Sequence, residues 1–308
     1  MARKLRVEYP GAIYHVMNRG NRKEIIYRDE ADRQVFLDTL AEACGKTAWD
    51  IHAFCLMPNH FHLVTETPRA NLVAGMKWLL GTYTLRFNRR HRLTGHLFSG
   101  RYKALIVEGN GNGYLRTVCD YVHLNPARAR LVKADEPLRN YRWSSWPEYL
   151  KSPNNRPAWL RVDRLLGEYG LQRDGAAGRK QLEVALEFRR QAESDDDFKG
   201  VRRGWCLGEE EFRRGLLERM EEEFGKHHSG SERGESAEEH AERLVREELR
   251  QAGWGDGELK HRRKGDPAKA RIARRLREET TMTLAWIASR LEMGSSSTVS
   301  LCLQSRKR

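Results

Sequence analysis

The stretch MPNHFHLVTE, residues 57–66, places two histidines one residue apart in a segment that otherwise suits a buried β-strand. Side chains two residues apart on a strand point to the same face of a sheet. His60 and His62 are therefore expected to project together, while Phe61 projects to the other face and packs into the core. The segment 49–57 is also rich in β-forming residues, and the Pro-Asn pair that follows it predicts a hairpin.

The flanking segments give this hairpin a fold. Strand patterns occupy residues 12–20, 49–57, 60–66 and 96–109, and helical apolar spacing occupies 28–46, 71–91 and 113–132. The order is β-α-β-β-α-β followed by a helix, which is a ferredoxin-like arrangement of the α+β class. It predicts an antiparallel sheet with helices on one face, and a bulge in the last strand at Gly100.

Three parts are expected along the chain. Residues 1–150 form the first domain, 151–206 form a linker and helical connector, and 207–308 form an all-α C-terminal region. In the last part, two helical patterns at 283–291 and 295–306 flank a turn at Gly294. They predict a helix-turn-helix within about residues 268–306.

Charge favours a polyanionic partner. The chain has 308 residues, with 56 Lys and Arg against 43 Asp and Glu, a net charge of +13. Residues 1–150 contain 23 basic and 14 acidic side chains, residues 207–250 contain 8 and 14, and residues 258–308 contain 13 and 5. Two basic blocks around an acidic one predict two separate anion-binding surfaces, with nucleic acid as the first candidate and a membrane surface as the second.

Cysteine spacing and hydropathy point to the cytoplasm. None of the five cysteines belongs to a C-x-x-C pair, so neither a zinc ribbon nor a redox motif is indicated. Their wide, odd-numbered spacing fits reduced thiols. The sequence shows no signal-peptide core and no apolar run of membrane-spanning length. We therefore expect a cytoplasmic, nucleoid-associated protein with no membrane partner.

A second polar pair gives the two histidines a chemical context. In DYVHLNPARA, Tyr121 and Asn125 are four residues apart and share one helix face. Two imidazoles on one strand face can hold a divalent metal ion, and Asn125 can add a carbonyl oxygen as a third ligand. Tyr121 offers a phenolic oxygen as nucleophile. His123 is expected to point away, and Pro126 is expected to end or kink the helix just after Asn125.

Each motif alone also has a structural explanation. Histidines on a strand are often incidental, and a buried tyrosine usually only hydrogen-bonds through its hydroxyl. Taken together, the four residues describe one chemistry. Mg²⁺ or Mn²⁺ would polarise and orient a phosphodiester, and the tyrosine would attack it to form a phosphotyrosyl link.

These motifs resemble a known family. PNHFHLV followed about sixty residues later by YVHLNPARA is similar to the HUH single-tyrosine transposases, and most similar to the REP-associated tyrosine transposases. The segments YPGAIYHVMNRGNRKEIIYRDEADRQVFLDTL and GHLFSGRYKALIV resemble the same family, so the resemblance covers about residues 5–150. It implies that His60 and His62 bind the catalytic metal, that Tyr121 is the nucleophile, and that Asn125 occupies the polar position where the family has Gln or Asn.

The resemblance also implies a substrate and an intermediate. The family acts on single-stranded DNA, often with a hairpin, and leaves a 5′-phosphotyrosyl link and a free 3′-OH. Basic side chains near the expected site are candidates for phosphate contacts. These are Arg19, Arg22, Lys23, Arg86, Arg89, Arg90, Arg92, Arg101 and Lys103. Phe98, Tyr102, Trp143 and Trp146 are candidates for base stacking, although such aromatics more often belong to the core.

The C-terminal helix-turn-helix predicts a second DNA contact. Its second helix would enter the major groove through Ser296, Ser297 and Ser300 and bind duplex DNA. The alternative is a small helical bundle that caps the protein or mediates dimers, so a homodimer stays open.

Two other functions also stay open. HUH replication-initiation and mobilisation nucleases share this chemistry, but many carry two tyrosines one helical turn apart. Here Tyr114 precedes Tyr121 by seven residues, and no Tyr-x-x-x-Tyr occurs at the site. A catalytically inactive nucleic-acid-binding protein on the same fold would have no need of His60, His62, Tyr121 and Asn125 together.

Overall fold

The computed structural model describes residues 7–194, 196–202, 204–225, 237–255 and 257–304. Within these residues, five strands form a single sheet in the order β2-β3-β1-β4-β5. The strands are β1 (Ala12–Arg19), β2 (Asp50–Met57), β3 (His60–Thr67), β4 (Lys103–Val107) and β5 (Cys206–Leu207). Neighbouring strands are antiparallel except for β4 and β5, which are parallel. The sheet is therefore mixed rather than wholly antiparallel.

Helices account for most of the remaining elements. They are α1 (Glu30–Thr47), α2 (Leu72–His91), α3 (Tyr114–Arg128), α4 (Trp146–Tyr149), α5 (Asp163–Glu168), α6 (Ala176–Gln191), α7 (Lys199–Arg202), α8 (Glu210–Gly225), α9 (Ala237–Gln251), α10 (Glu258–His261), α11 (Pro267–Glu279), α12 (Leu284–Arg290) and α13 (Ser296–Gln304). The predicted β-α-β-β-α-β order followed by a helix is confirmed by β1 through α3.

Two boundaries differ from the sequence prediction. The fourth strand begins at Lys103, because the preceding residues instead meet the end of β1 through an isolated bridge between Gly20 and Phe98. Gly100, with φ at +65°, lies in that preceding loop and does not form a strand bulge. The α3 helix continues past Pro126 to Arg128, since a proline so close to the end removes few helical hydrogen bonds.

The sheet carries helices on both faces. Phe61 projects towards α1 and α2, with its ring 5.0 Å from that of Phe36. The expectation that Phe61 faces these helices is confirmed. The α3 helix packs on the opposite face, where the Tyr121 ring meets that of His62. The two helices that connect strands therefore lie on one face as predicted, and the third covers the other.

A first hydrophobic core joins the sheet to residues well beyond its last central strand. Residues 151–206, expected to be a connector, contribute Leu165, Leu186 and Phe198 to this core. Their chain then returns to the sheet edge as β5, which pairs with β4. The segment after the ferredoxin-like unit thus packs beside α3, where Phe198 contacts Tyr121.

A second core lies within α9 to α13 and includes Leu244, Ile272 and Ile287. The two units touch where Lys46 of α1 donates hydrogen bonds to the carbonyl oxygens of Arg277 and Glu278 at the end of α11. Among the helices that the structure describes, none has the length and apolar character needed to cross a bilayer.

Candidate active site

His60 and His62 lie on an interior strand of the sheet. The β3 strand, which carries both, is flanked by β2 and β1. The ring centroids of His60 and His62 are 5.1 Å apart. Arg19 of β1 lies directly opposite His60, and Met17 lies opposite His62. The two imidazoles therefore share one face of the sheet, as the strand period requires.

The hydrogen bonds of His60 leave one ring nitrogen available. Its Nδ1 is 2.7 Å from Oδ1 of Asn59. The Asn59 amide donates through Nδ2 to the carbonyl oxygen of Lys23, so Oδ1 is an acceptor. An acceptor at this distance requires a proton on His60 Nδ1. In the neutral ring, the lone pair then lies on Nε2, which is the form that a metal ion binds.

His62 is positioned by a third histidine. His15 of β1 lies diagonally across from it, and His15 Nε2 is 2.9 Å from His62 Nδ1. Their rings are stacked, with centroids 5.1 Å apart. This contact occupies Nδ1 of His62. Only Nε2 remains for a ligand, and the contact resembles the outer-shell hydrogen bonds that orient histidine ligands in metal sites.

Burial keeps the three imidazoles neutral. It lowers the pKa of His15 to about 4. Burial and then the nearby positive charge of Arg19 lower the pKa of His60 to about 4. The pKa of His62 falls well below its usual value, first through burial and then through His15 and His60. Neutral imidazoles are the form that coordinates metals, so these groups fit a metal site.

Tyr121 reaches this cluster from α3. Its ring centroid lies 5.8 Å from that of His62 and 5.6 Å from that of His15, in both cases edge to face. No described residue forms a hydrogen bond with its hydroxyl. The tyrosine thus stands beside the paired histidines of its own chain.

Asn125 lies one turn further along α3. The residue is 9% exposed, and its Nδ2 has no hydrogen-bond partner in the described part of the chain. A buried amide nitrogen without a partner costs free energy unless a hydrogen-bond acceptor satisfies it. This nitrogen is a donor, so only the Oδ1 atom of Asn125 could serve as the third ligand of a divalent ion held by the two imidazoles. Among the described residues, no group of three His, Cys, Asp or Glu side chains is arranged to hold one.

Arg128 and Phe198 cover the tyrosine. The Arg128 guanidinium carbon is 4.3 Å from the centroid of the Tyr121 ring, and the same guanidinium donates to the carbonyl oxygen of Tyr121. The Phe198 ring lies 5.4 Å from the Tyr121 ring. Glu193 pairs with Arg128 at 2.9 Å. Contacts with Arg128 and Phe198 therefore restrict the orientation of the Tyr121 ring.

Polar residues on the other side of α3 bond neighbouring side chains. Tyr169 donates through its hydroxyl to Asp120 at 2.6 Å, and Arg189 pairs with Asp120 at 3.1 Å. Burial raises the pKa of Asp120 to about 7. His123 bonds Ser145 Oγ at 2.8 Å, away from the metal-site candidates.

The basic residues predicted to contact DNA separate into two groups. Arg86 pairs with Glu42, and Arg90 pairs with Asp29 and Asp32, so both hold α2 against the start or the body of α1. The remaining members, all exposed, are Arg19, Arg22, Lys23, Arg89, Arg92, Arg101 and Lys103. Arg19 is opposite His60, and Lys103 is opposite Met17 on β1. These two border the histidine face directly.

The candidate stacking residues belong to the core. Phe98, Tyr102, Trp143 and Trp146 are all buried, and Trp146 is 1% exposed. The expectation that such aromatics more often belong to the core is therefore confirmed.

The C-terminal helices occur where the sequence predicts them. The α12 and α13 helices flank Gly294, whose φ is +85°. Ser296 and Ser297 are exposed and Ser300 is half-buried, while Val299 is buried in the second core. The last residues of the predicted second helix, 305 and 306, lie outside the described residues. Duplex DNA binding by this unit stays a prediction.

Three residues of the site were not found from the sequence. Arg128 lies two helical turns after Tyr121, so its spacing could have revealed it. His15 alternates with Met17 and Arg19 on β1, but its partner depends on the β1–β3 register. Phe198 has no local pattern that connects it to α3.

Comparisons with known proteins bear on the first part of the chain. Residues 8–125 match the family described as "Transposase IS200 like". The transposase resemblance that the motifs predict is confirmed over these residues. No curated protein matches the chain. A solved structure of a REP-associated tyrosine transposase bound to a REP hairpin is similar at 15% identity with a TM-score of 0.41, covering 52% of this chain and 92% of that one.

Proposed function

We propose that this chain, whose residues 8–125 match the IS200-like transposases, cleaves and rejoins single-stranded DNA through a phosphotyrosyl intermediate on Tyr121. The observation that carries the proposal is the position of the Tyr121 ring, 5.8 Å from His62 of the same chain. This position puts a potential nucleophile beside two neutral imidazoles, those of His15 and His62.

The donor set indicates how a divalent cofactor would be held. Nε2 of His60, Nε2 of His62 and the Asn125 carbonyl oxygen are the expected ligands. Mg²⁺ or Mn²⁺, when bound, would withdraw charge from the non-bridging oxygens of the scissile phosphate. Imidazole ligands favour the softer Mn²⁺, whereas the amide and phosphate oxygens suit both ions.

The remaining chemistry belongs to the chain itself. The Tyr121 oxygen forms a bond to phosphorus and its proton passes to water. The bond from phosphorus to the 3′ oxygen breaks, and that oxygen takes a proton from water. The products are a 5′-phosphotyrosyl strand and a strand ending in 3′-OH. Attack by a 3′-OH on the phosphotyrosine reverses the step and releases Tyr121. Rejoining therefore needs no ATP, because the phosphodiester energy is kept in the link.

Residues around Tyr121 and the two histidines would prepare the site for this step. Arg128 stacks on the Tyr121 ring at 4.3 Å, and this cation–π contact holds the ring in place. His15 accepts from His62 Nδ1 in the tautomer that leaves His62 Nε2 for coordination. Arg19 and Lys103 border the histidine face and would bind the phosphates that flank the scissile one.

The C-terminal unit would supply a second DNA contact. Residues 258–308 contain 13 basic and 5 acidic side chains, and α13 exposes Ser296 and Ser297 at its start. We extend the proposal to duplex binding by this unit, in a protein that works on cytoplasmic DNA.

A labelled-strand assay tests the proposal. The protein is incubated with single-stranded hairpin oligonucleotides tiled from the DNA that flanks its gene, with Mn²⁺. We expect a detergent-resistant adduct that carries a label placed at the 3′ end of the strand and lacks a label placed at the 5′ end. Chelation of Mn²⁺ should abolish it. An adduct that carries the 5′ label would contradict the proposed polarity, and binding without any adduct would favour the inactive alternative.

A further inference from the structure

A basic cleft of about 890 Å³ lies between the end of α3 and the C-terminal end of α6. Its walls come from segments separated in sequence: the end of α3 and the loop after it, α6, and α7. Five positively charged side chains line it: Arg128, Arg130, Lys133, Arg190 and Arg202. Two acidic side chains, Glu187 and Glu193, line it as well. The lining therefore carries an excess of positive charge.

The charges are arranged in two layers. In the deeper layer, Arg128 pairs with Glu193 at 2.9 Å and Arg190 pairs with Glu187 at 3.3 Å. Arg190 also donates to the carbonyl oxygens of Glu136 and Lys133, so the floor is held rigidly. The acids are thus engaged by these two arginines.

Exposed cations form the outer layer. Arg130, Lys133 and Arg202 are exposed at the cleft. Lys133 has a contact of 3.9 Å with Glu136, but a surface pair at this distance contributes little and exchanges readily. A row of exposed cations over a fixed floor suits a chain of phosphates, because each phosphate replaces bound counterions as it enters.

The cleft adjoins the side chain that covers the proposed nucleophile. Arg128 lines the cleft and also stacks on the Tyr121 ring, whose other neighbours are His15 and His62. A strand that reached Tyr121 from this side would pass the exposed cations of the cleft and then Arg128. The exposed residues Arg19 and Lys103, in contrast, border the histidine side of the site.

We propose that this cleft binds the backbone of single-stranded DNA next to the scissile phosphate. The inference rests on the proposed function of Tyr121 and adds a strand path on the α3–α6 side of it. The contacts would be made to phosphates, so they would raise affinity without reading sequence.

Binding by full-length protein tests the cleft directly. The background is Tyr121→Phe, so that no strand is cleaved, and the probe is a fluorescent 20-nucleotide oligo-dT without a hairpin. The test variant is Arg130→Gln/Lys133→Gln, which removes two exposed cations of the cleft. The matched control is Arg173→Gln/Lys180→Gln, which removes two exposed cations that do not line it.

The proposal predicts a specific loss. The cleft variant should bind oligo-dT about tenfold more weakly at moderate salt. Its slope of log affinity against log salt should be shallower by about 1.4, at roughly 0.7 per phosphate contact on a single strand. The control variant and the charge-conserving Arg130→Lys/Lys133→Arg should keep both values. Equal losses in the test and control variants, or no loss in either, would overturn the proposal.

Adduct formation separates this inference from the proposed function. With Tyr121 restored, the cleft variant should need more DNA to reach half of its maximal adduct rate and should keep the maximal rate. A lower maximal rate with unchanged half-saturation would contradict a binding role. If the parent protein forms no adduct but the cleft variant still loses oligo-dT binding, the proposed chemistry fails and the cleft remains a DNA-binding site.

Discussion

Asp120 and Tyr121 are consecutive residues of α3, yet they differ in whether neighbouring side chains bond their oxygen atoms. On the Asp120 side, Tyr169 and Arg189 hold the carboxylate, and His123 bonds Ser145. On the Tyr121 side, Asn125 Nδ2 has no partner among the described residues, and none of them bonds the tyrosine hydroxyl. Single buried atoms without a described hydrogen-bond partner occur on both sides, among them His123 Nδ1 and Arg189 Nε on the first. The contrast is therefore between the Asp120 carboxyl group, which neighbouring side chains hold, and the Tyr121 hydroxyl, which they do not.

This difference separates stability from function. A buried polar group with all its partners contributes to the free energy of folding and leaves nothing for a ligand. A reactive hydroxyl that no neighbouring side chain bonds keeps its hydrogen-bonding capacity for a ligand or substrate. Substitutions on the Asp120 side should therefore change stability, and those on the Tyr121 side should change chemistry.

The largest expected effect contrasts two tyrosines. Tyr121→Phe should lower adduct formation on the order of 10⁴-fold or more, because it removes the attacking oxygen. Its stability should change by no more than about 0.5 kcal/mol, since that hydroxyl has no bond to lose. Tyr169→Phe removes the donor to buried Asp120 and should cost about 1–3 kcal/mol while keeping adduct formation. Urea unfolding and adduct gels on both variants test the contrast, and a reversed pattern would break it.

The pH dependence of stability tests the structural role of Asp120. The native pKa of Asp120, about 7, lies above the ordinary value of 3.8 for the unfolded chain. Between these values the unfolded chain releases the proton and the native state keeps it. The carboxyl's contribution is thus fully present below about pH 4 and is lost as pH rises to 7, by up to about 4 kcal/mol.

Asp120→Asn isolates this contribution. Its amide oxygen can still accept from Tyr169 and does not titrate. The stability of the parent relative to the variant, measured by urea unfolding from pH 4 to 8, should therefore fall as pH rises. A difference that stays flat over this range would show that Asp120 is ionised throughout in the native state.

Two histidines provide the next contrast. His60→Ala should weaken Mn²⁺ binding on the order of 100-fold, and high Mn²⁺ should restore part of the cleavage. His123→Ala should leave Mn²⁺ affinity unchanged and cost about 3 kcal/mol of stability, because it empties a buried site beside Trp146. Calorimetric titration of the free proteins with Mn²⁺ provides the measurement. Equal Mn²⁺ affinity in the His60→Ala variant and the parent would exclude His60 as a ligand.

The smallest effect is expected on α13, which also has a buried structural side and an exposed side. Val299 is buried there and Ser297 is exposed. Ser297→Glu should weaken binding to duplex DNA several-fold, because it places a negative charge at the proposed groove contact. Cleavage of a short single strand should be unchanged. Ser289→Glu, exposed on α12, is the matched control. Equal duplex binding by all three proteins would remove the helix-turn-helix interpretation.

Local periodicity accounts for what the sequence could predict. The strand period placed His60 and His62 on one face, the helix period placed Tyr121 and Asn125 on another, and the element order gave the ferredoxin-like arrangement. The β5 strand has two residues, too few to show a period. His15 and Phe198 join the site only through strand register and through packing of a distant segment. Such long-range placements have no local sequence pattern.

Peptide mapping of the covalent adduct tests the central claim most directly. Trypsin cleaves after Arg116 and Arg128, so Tyr121 falls in the peptide 117–128 and Tyr114 falls in the peptide 104–116. After digestion of the adduct with nuclease and trypsin, mass spectrometry locates the nucleotide phosphate. We predict that the added mass is found on peptide 117–128, and that fragmentation assigns it to Tyr121. A phosphate on peptide 104–116, or an adduct of unchanged yield in Tyr121→Phe, would contradict the account.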